Sequence, residues 1–176
     1  MSQDRANARP LTTADLIHLE QIRQLKARYC RLIDTKRWDD LRAVFTDDCR
    51  FDGMGNYLPA GAEADAFVSF VRVRHAHTIS VHHCHTPEIV LSSDREARGI
   101  WAMEDFVEWQ GLEHVAAEWT GFRGFRGYGH YEEAYRRSGD QWLIASVRLT
   151  RLRLDGVPAD APPCRPGALK ASADWL

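Results

Sequence analysis

The sequence predicts an α+β fold in which helices come first and a strongly curved, mostly antiparallel sheet follows. Apolar residues recur with helical spacing from Leu16 to Ile33. After residue 78 the pattern changes to strand-like runs separated by short turn signals. N-terminal helices packed on such a sheet would form a cone-shaped α+β barrel with an internal pocket, and pockets of this kind suit small apolar ligands.

Three helices are predicted in the first half of the chain. Thr12 or Thr13 can cap a long first helix, because a hydroxyl accepts a hydrogen bond from the first turn. A short second helix is predicted over residues 38–45. A third is predicted over residues 62–73, with Phe67 on its inward face.

Strands are predicted over the remainder, separated by turn signals at residues 92–94, at Gly111 and at residues 138–140. The predicted strands cover residues 50–52, 79–85, 88–91, 96–110, 113–122, 125–137 and 142–154.

The domain organisation is predicted to be simple. Residues 1–11 read as a flexible lead and residues 12–154 as one domain, since 176 residues with 44% hydrophobic content can bury one sizeable core. Residues 155–176 form a Pro-rich tail in which prolines argue against a strand of the sheet.

Charge and hydropathy exclude several partners. A net charge of -2 leaves no basic field for a nucleic acid or an anionic membrane. The polar N-terminus lacks a signal-peptide pattern, and no window approaches the roughly twenty apolar residues of a spanning helix. The four cysteines show no CxxC spacing and are read as reduced thiols, so a cytoplasmic protein is predicted.

A tyrosine, a carboxylate and an imidazole are candidates for proton transfer. Tyr29 and Asp34 lie at the end of the first helix, and His82 lies in the strand-like run that follows residue 78. If they meet in an apolar pocket, they can move protons at neutral pH without a metal or an organic cofactor. In the alternative interpretation, Asp34 caps the second helix and His82 is a core histidine that binds a backbone carbonyl.

Strand alternation separates the histidines of this run into two sets. His82 and Cys84 share one face, while His83 and His85 share the other. Only one face can line the pocket, and the sequence leaves open whether it is that of His82 or of His83. The spacing of His83 and His85, like that of His75 and His77, is compatible with zinc, but no third ligand stands at a recognisable spacing, so no metal site is predicted.

Further side chains are candidates for binding a substrate. Alternation places Asp105 on the same strand face as Trp101, although a solvated acidic edge strand would give the same pattern. Arg148 and Arg151 lie on opposite faces of the last strand, and either could anchor an anionic group. The predicted substrate-binding residues are Asp105, Arg151, Trp101, Tyr131 and Phe67.

Several segments together resemble the SnoaL-like family of the nuclear transport factor 2-like superfamily, which includes dehydratases and a dehydrochlorinase. The resemblance covers roughly residues 12–154. Its motifs are Arg28-Tyr29, residues 33–41 from Ile33 to Leu41, Phe45-Thr46-Asp47-Asp48, Val81-His82-His83, Gly99-Ile100-Trp101, residues 129–135 from Gly129 to Tyr135, residues 142–146 from Trp142 to Ser146, and Leu149-Thr150-Arg151-Leu152.

The resemblance implies a cone-shaped barrel whose dehydratases use an Asp and His pair, at positions matched here by Asp34 and His82. Tyr29, Asp105 and Arg151 match pocket residues of relatives. Thr86 stands where several relatives carry asparagine, a difference that bears on the substrate.

These observations predict a cofactor-independent lyase of the dehydratase type, or an isomerase, that removes a proton next to a carbonyl. The predicted substrate is hydrophobic, polycyclic or aromatic, and the predicted assembly is a homo-oligomer, a dimer or a trimer. The alternatives are a non-catalytic small-ligand binding protein and a structural subunit similar to the small subunit of aromatic-ring dioxygenases.

Overall fold

The structure, a computed structural model, describes residues 10–115 and 117–162. Most of the predicted lead and the end of the predicted tail therefore lie outside the described residues. The described helices are α1 (Thr13–Asp34), α2 (Trp38–Arg42) and α3 (Ala64–Arg74). The described strands are β1 (Phe45–Asp52), β2 (Ala62–Glu63), β3 (Thr78–Leu91), β4 (Glu96–Trp109), β5 (Phe122–Ser138) and β6 (Gln141–Pro158).

Helix α1 begins at a capping box on Thr12. The Thr12 hydroxyl accepts a hydrogen bond from the Asp15 N–H, and the Asp15 carboxylate accepts one from the Thr12 N–H. Leu16, in the first turn, is exposed, whereas Ile22 and Tyr29 further along are buried. The helix ends at Asp34, so this carboxylate is held at the terminus of a long, well-packed element.

The segment after α1 differs from the prediction. The second helix ends at Arg42, and Phe45 instead opens β1, where it pairs with Ile144 of β6. Phe45 is 3% exposed and packs edge-on against Phe51, with ring centroids 5.1 Å apart. Burial in the sheet therefore decides the conformation of a residue whose spacing also fits a helix.

Six strands form one sheet in the order β2-β1-β6-β5-β4-β3. All neighbouring strands are antiparallel except β1 and β6, which are parallel. The predicted α+β class with a mostly antiparallel sheet is confirmed. Register shifts in β3 and β5 mark the irregularities that bend such a sheet. The sheet does not close on itself, since β2 and β3 are its two edges.

Two strand predictions are wrong in the β3–β5 region. The predicted strands 79–85 and 88–91 are one strand, β3, with a register shift between His85 and Glu88. Of the predicted strand 113–122, the described residues 113–115 and 117–121 form no strand, and Phe122 begins β5. Because β4 pairs directly with β5 from Glu96 to Glu108, the residues between them make the connection, which contains two short 3-10 turns.

The predicted Pro-rich tail also begins later than expected. Strand β6 continues through Gly156 to Pro158, which pairs with Phe122 at the start of β5. Proline is tolerated there because it stands at the end of the strand, where no further ladder hydrogen bond is required of it.

The helices cover the sheet around one core. Helix α1 packs against β3 and β6, and α3 packs against β1. Alternation of burial along the strands defines an inner face toward this core and an outer face away from it. None of the described helices has the length and apolar character to cross a bilayer.

Candidate active site

A cavity of about 440 Å³ lies between the helices and the inner face of the sheet. Most of its lining is aromatic or aliphatic, and its polar groups converge from the end of α1, the end of α3 and the strands β3–β6. The lining residues are Tyr29, Ile33, Gly53, Met54, Gly55, Tyr57, Phe67, Phe70, Val71, Arg74, His75, His82, Asp105, Val107, Trp109, Trp119, Phe125, Tyr131, Leu149, Arg151 and Leu154.

Asp34 and His82 meet at the edge of this cavity. His82 Nδ1 lies 2.7 Å from Asp34 Oδ1, and the His82 backbone N–H donates to Asp34 Oδ2 at 2.8 Å. The two contacts fix the carboxylate against both the ring and the main chain of β3. The alternative in which Asp34 caps α2 does not occur, because Arg37 occupies the position that precedes α2.

The contact with Asp34 determines which nitrogen of His82 faces the cavity. A carboxylate accepts a hydrogen bond from Nδ1–H, so Nε2 keeps its lone pair in the neutral ring. The His82 ring lines the cavity, and no described residue hydrogen-bonds its Nε2. The imidazole is 7% exposed and the Asp34 side chain 22%. His83, the other candidate, is exposed on the outer face.

Asp34 has further support from Ser80, which contacts the same carboxylate oxygen as the His82 ring. Ser80 donates its hydroxyl to Asp34 Oδ1 at 3.0 Å, and Lys36 Nζ donates to the Ser80 hydroxyl at 2.8 Å. Burial lowers the pKa of Lys36 to about 8, although the nearby Asp34 charge acts in the opposite direction. A cation, a hydroxyl and a carboxylate thus form a chain that ends on His82.

Tyr29 and Tyr131 line the cavity and pack edge-on, with ring centroids 5.9 Å apart. Burial raises the pKa of each phenol well above its usual value, and the charges of Glu133 near Tyr29 and of Asp105 near Tyr131 add to the effect. Both hydroxyls therefore stay protonated at neutral pH and can donate hydrogen bonds.

A buried cation lies beneath the two tyrosines. Lys26 Nζ is 4.0 Å from the Tyr29 ring centroid and 3.7 Å from that of Tyr131. Lys26 is fully buried and forms an ion pair with Glu133, which also accepts the hydroxyl of Tyr135. The cation–π contacts hold both rings against the floor of the cavity.

Asp105 and Arg151 form a second polar group in the cavity. Their contacts are bidentate, with Arg151 Nη1 and Nη2 at 2.7 Å and 2.6 Å from the two carboxylate oxygens. A Cβ added to Gly127 would lie 2.0 Å from Arg151 Nη1 and 2.2 Å from Asp105 Oδ1. Glycine at this position therefore makes room for the ion pair over the sheet.

The remaining predicted residues separate into two groups. Phe67 lines the cavity, stacked on Phe51 with centroids 4.0 Å apart. Trp101 is buried in the core and is not among the residues that line the cavity. Its indole N–H donates to the Tyr135 hydroxyl at 2.7 Å. Arg148 is exposed near Glu132, so Arg151 is the arginine of β6 that reaches the cavity.

The sequence patterns do not predict that His75 and several aromatic residues line the cavity. His75 follows α3, and its ring centroid lies 5.9 Å from that of His82. Burial lowers the pKa of His75 to about 3, helped by the Lys36 and Arg74 charges, so His75 is neutral near pH 7. Trp119 lies in the segment mispredicted as a strand. No motif in the sequence marks either residue as part of the cavity.

Comparison with known proteins gives three kinds of similarity. Residues 14–148 match the family described as SnoaL-like domain. A probable cyclase of Gibberella zeae, FGR4, is 26% identical over 143 residues, which cover 74% of this chain and 89% of that protein.

Two solved structures share the fold at low sequence identity. A candidate scytalone dehydratase of Novosphingobium aromaticivorans has a TM-score of 0.70 and 16% identity, covering 87% of this chain and 100% of that one. The type 3 hexachlorocyclohexane dehydrochlorinase LinA of Novosphingobium barchaimii has a TM-score of 0.67 and 15% identity, covering 88% and 98%. At these identities the likeness concerns the fold alone.

Proposed function

The chain belongs to the SnoaL-like domain family, and from that membership we propose that it is a cofactor-independent lyase or isomerase. The reaction begins with removal of a proton from the carbon next to a carbonyl group. The observation that carries the proposal is the contact of Asp34 with His82 Nδ1, which leaves Nε2 of a cavity-lining ring available as a base.

The first step moves one proton and one electron pair. His82 Nε2 takes the proton, and the electron pair of the broken C–H bond moves to the carbonyl oxygen as an enolate. Asp34 stabilises the imidazolium because its negative charge lies 2.7 Å from Nδ1. Tyr29 and Tyr131 are the donors best placed to stabilise the enolate, since both phenols line the cavity and stay protonated.

The second step depends on the substrate. With a hydroxyl on the β-carbon, the enolate re-forms the carbonyl and a carbon–carbon double bond while the hydroxyl leaves. The proton held on His82 joins the departing hydroxyl to give water, so no external reductant or oxidant is needed. Return of the proton to a different carbon would give an isomerisation instead.

The cavity indicates the class of substrate. Its volume and its aromatic lining favour a hydrophobic molecule with one or more rings, and its few polar groups fix orientation. The Asp105–Arg151 pair adds a polar patch to the cavity wall, although the two charged groups already form an ion pair with each other. The names of the related proteins, a cyclase, a dehydratase and a dehydrochlorinase, agree with a lyase or isomerase of this kind.

A non-catalytic ligand-binding protein is the second candidate. The mostly apolar lining of the cavity favours it, because burial of an apolar ligand requires no base. A binding protein would leave its ligand chemically unchanged.

The test measures proton removal directly. A panel of β-hydroxy ketones is incubated with the protein in D₂O, and α-hydrogen exchange is followed by NMR alongside absorbance of the conjugated product. His82→Gln should abolish both signals. His130→Gln is the matched control, because His130 lies beside Tyr131 in sequence but on the opposite face of β5 and should leave both signals unchanged.

Two results would contradict the proposal. Exchange that persists in His82→Gln would show that another group is the base. Ligands that bind without exchange or elimination in the unchanged protein would establish the binding function instead.

A further inference from the structure

A cluster of metal-ligand side chains lies on the outer face of the sheet, away from the cavity. His83 and His85 project from β3, and Glu104 projects from β4. One ligand atom from each side chain lies within 4.8 Å of the others. Among the described residues, no other group of three histidine, cysteine or acidic side chains shows such spacing.

Backbone register brings the three side chains together. His83 and His85 are two residues apart in β3, so both point to the same face. Glu104 pairs directly with His83 across the antiparallel ladder, and alternation along β4 places it on that face as well. The cluster is therefore built on paired strands rather than on a loop, which limits the movement of the backbone beneath it.

We propose that His83, His85 and Glu104 bind a zinc-class transition-metal ion. Two imidazoles and one carboxylate form a three-ligand set that leaves a fourth position for water. Nitrogen-rich sets of this kind favour Zn²⁺, Ni²⁺ or Cu²⁺ over Mg²⁺ and Ca²⁺, which prefer oxygen ligands.

The side chains can reach the geometry that the ion requires. Metal–ligand bonds of about 2.0 to 2.2 Å in a tetrahedral arrangement place ligand atoms roughly 3.3 Å apart. His83 and His85 are exposed and Glu104 is half-buried, so small rotations can close the present spacing. The two rings are inclined at 63° with centroids 5.8 Å apart, an arrangement in which their nitrogens can point to one centre.

A second histidine pair provides an internal contrast. His77 and His114 stack with centroids 3.9 Å apart and planes inclined by only 9°, so the rings face each other rather than a common point. His77 is exposed and lies outside the cavity lining. It is therefore a suitable control for binding of metal by any exposed imidazole.

The experiment uses the untagged full chain. Co²⁺ is titrated while its visible d–d absorption is recorded, and Zn²⁺ is then added to displace it. We expect one ion per chain, displacement by Zn²⁺, and no displacement by Mg²⁺ or Ca²⁺. His83→Gln, His85→Gln and Glu104→Gln should each weaken metal binding by at least about 10-fold. Loss of a group that only hydrogen-bonds a metal ligand already lowers the affinity by about this factor.

His77→Gln should leave the affinity unchanged. Circular dichroism of each variant shows whether the fold is retained, as expected for substitutions on the outer face. The inference is overturned if the folded His83→Gln/His85→Gln variant binds as well as the unchanged protein. It is also overturned if the unchanged protein takes up no more metal than that double variant. Neither result depends on proton abstraction in the cavity, so this test is separate from that of the proposed function.

Discussion

The carboxylate of Asp34 contacts His82 at two points, the ring Nδ1 at 2.7 Å and the backbone N–H at 2.8 Å. One acidic side chain thus fixes both the tautomer of the imidazole and the position of the strand that carries it. Asp34 itself lies outside the described lining of the cavity, so in the proposed mechanism it acts on the substrate only through His82.

Asp34→Asn should therefore lower kcat with little change in KM. The amide keeps the size of the carboxylate but removes the charge that stabilises the imidazolium, and we expect a loss of about 10² to 10⁴-fold in kcat. Steady-state kinetics on a substrate found by the exchange assay measures this effect, and ¹⁵N NMR of the histidines reports the tautomer. An increase in KM alone, with kcat unchanged, would argue against the positioning role.

Gly127→Ala should disturb the Asp105–Arg151 pair. The added methyl group would overlap both charged groups, so the pair must separate or shift, and we expect a cost of about 1–3 kcal/mol in the free energy of unfolding. Urea denaturation measures it. In an Arg151→Ala background the same substitution should cost less, because the overlap is partly removed. Equal costs in both backgrounds would show that the ion pair is not the cause.

Lys26→Met should destabilise the protein by about 3–5 kcal/mol, because it leaves Glu133 buried without its cation. The double variant Lys26→Met/Glu133→Gln should be more stable than Lys26→Met alone, since the uncompensated charge is gone. Urea denaturation of the two variants and the unchanged protein gives the comparison. If the second substitution adds to the loss instead, the buried charge is not what makes the first one costly.

His75 should make the protein sensitive to acid. Its pKa falls from 6.5 in the unfolded chain to about 3 in the folded one, so the unfolded state binds more protons between these values. The contribution of His75 is fully present above pH 6.5 and is lost progressively as the pH falls toward about 3.

The free energy of unfolding should consequently fall less between pH 7 and about pH 4 in His75→Asn than in the unchanged protein. Denaturant melts at a series of pH values provide the measurement. Parallel curves for the two proteins would show that His75 does not contribute to the acid sensitivity.

Sequence patterns predict much of the fold because periodicity reports which face of an element is buried. The long stripe of α1 and the alternation around His82 are of this kind. Phe45 shows the limit of the method, since its spacing fits both a helix and a strand and only its packing in the sheet decides. The segment around Trp119 shows a second limit, because its residues form the connection between β4 and β5, which pair directly with each other.

The candidate sites differ in how much of them a linear sequence can reveal. Asp34 and His82 were identified from residue type, position and family resemblance, and their catalytic roles stay proposals. Glu104 was missed as a partner of His83 because the two residues are neighbours only through strand register. Trp101 lies on the expected strand face, yet the three-dimensional position of the cavity places it outside the lining.

Strand β3 is one edge of the sheet, where unpaired main-chain N–H groups could pair with a strand of another polypeptide. At His82 such pairing is blocked, because the His82 N–H already donates its hydrogen bond to the Asp34 carboxylate. Further along, Thr86 adopts a left-handed backbone conformation and Pro87 offers no N–H. The contact that holds the proposed base thus also removes one main-chain donor from the edge of the sheet.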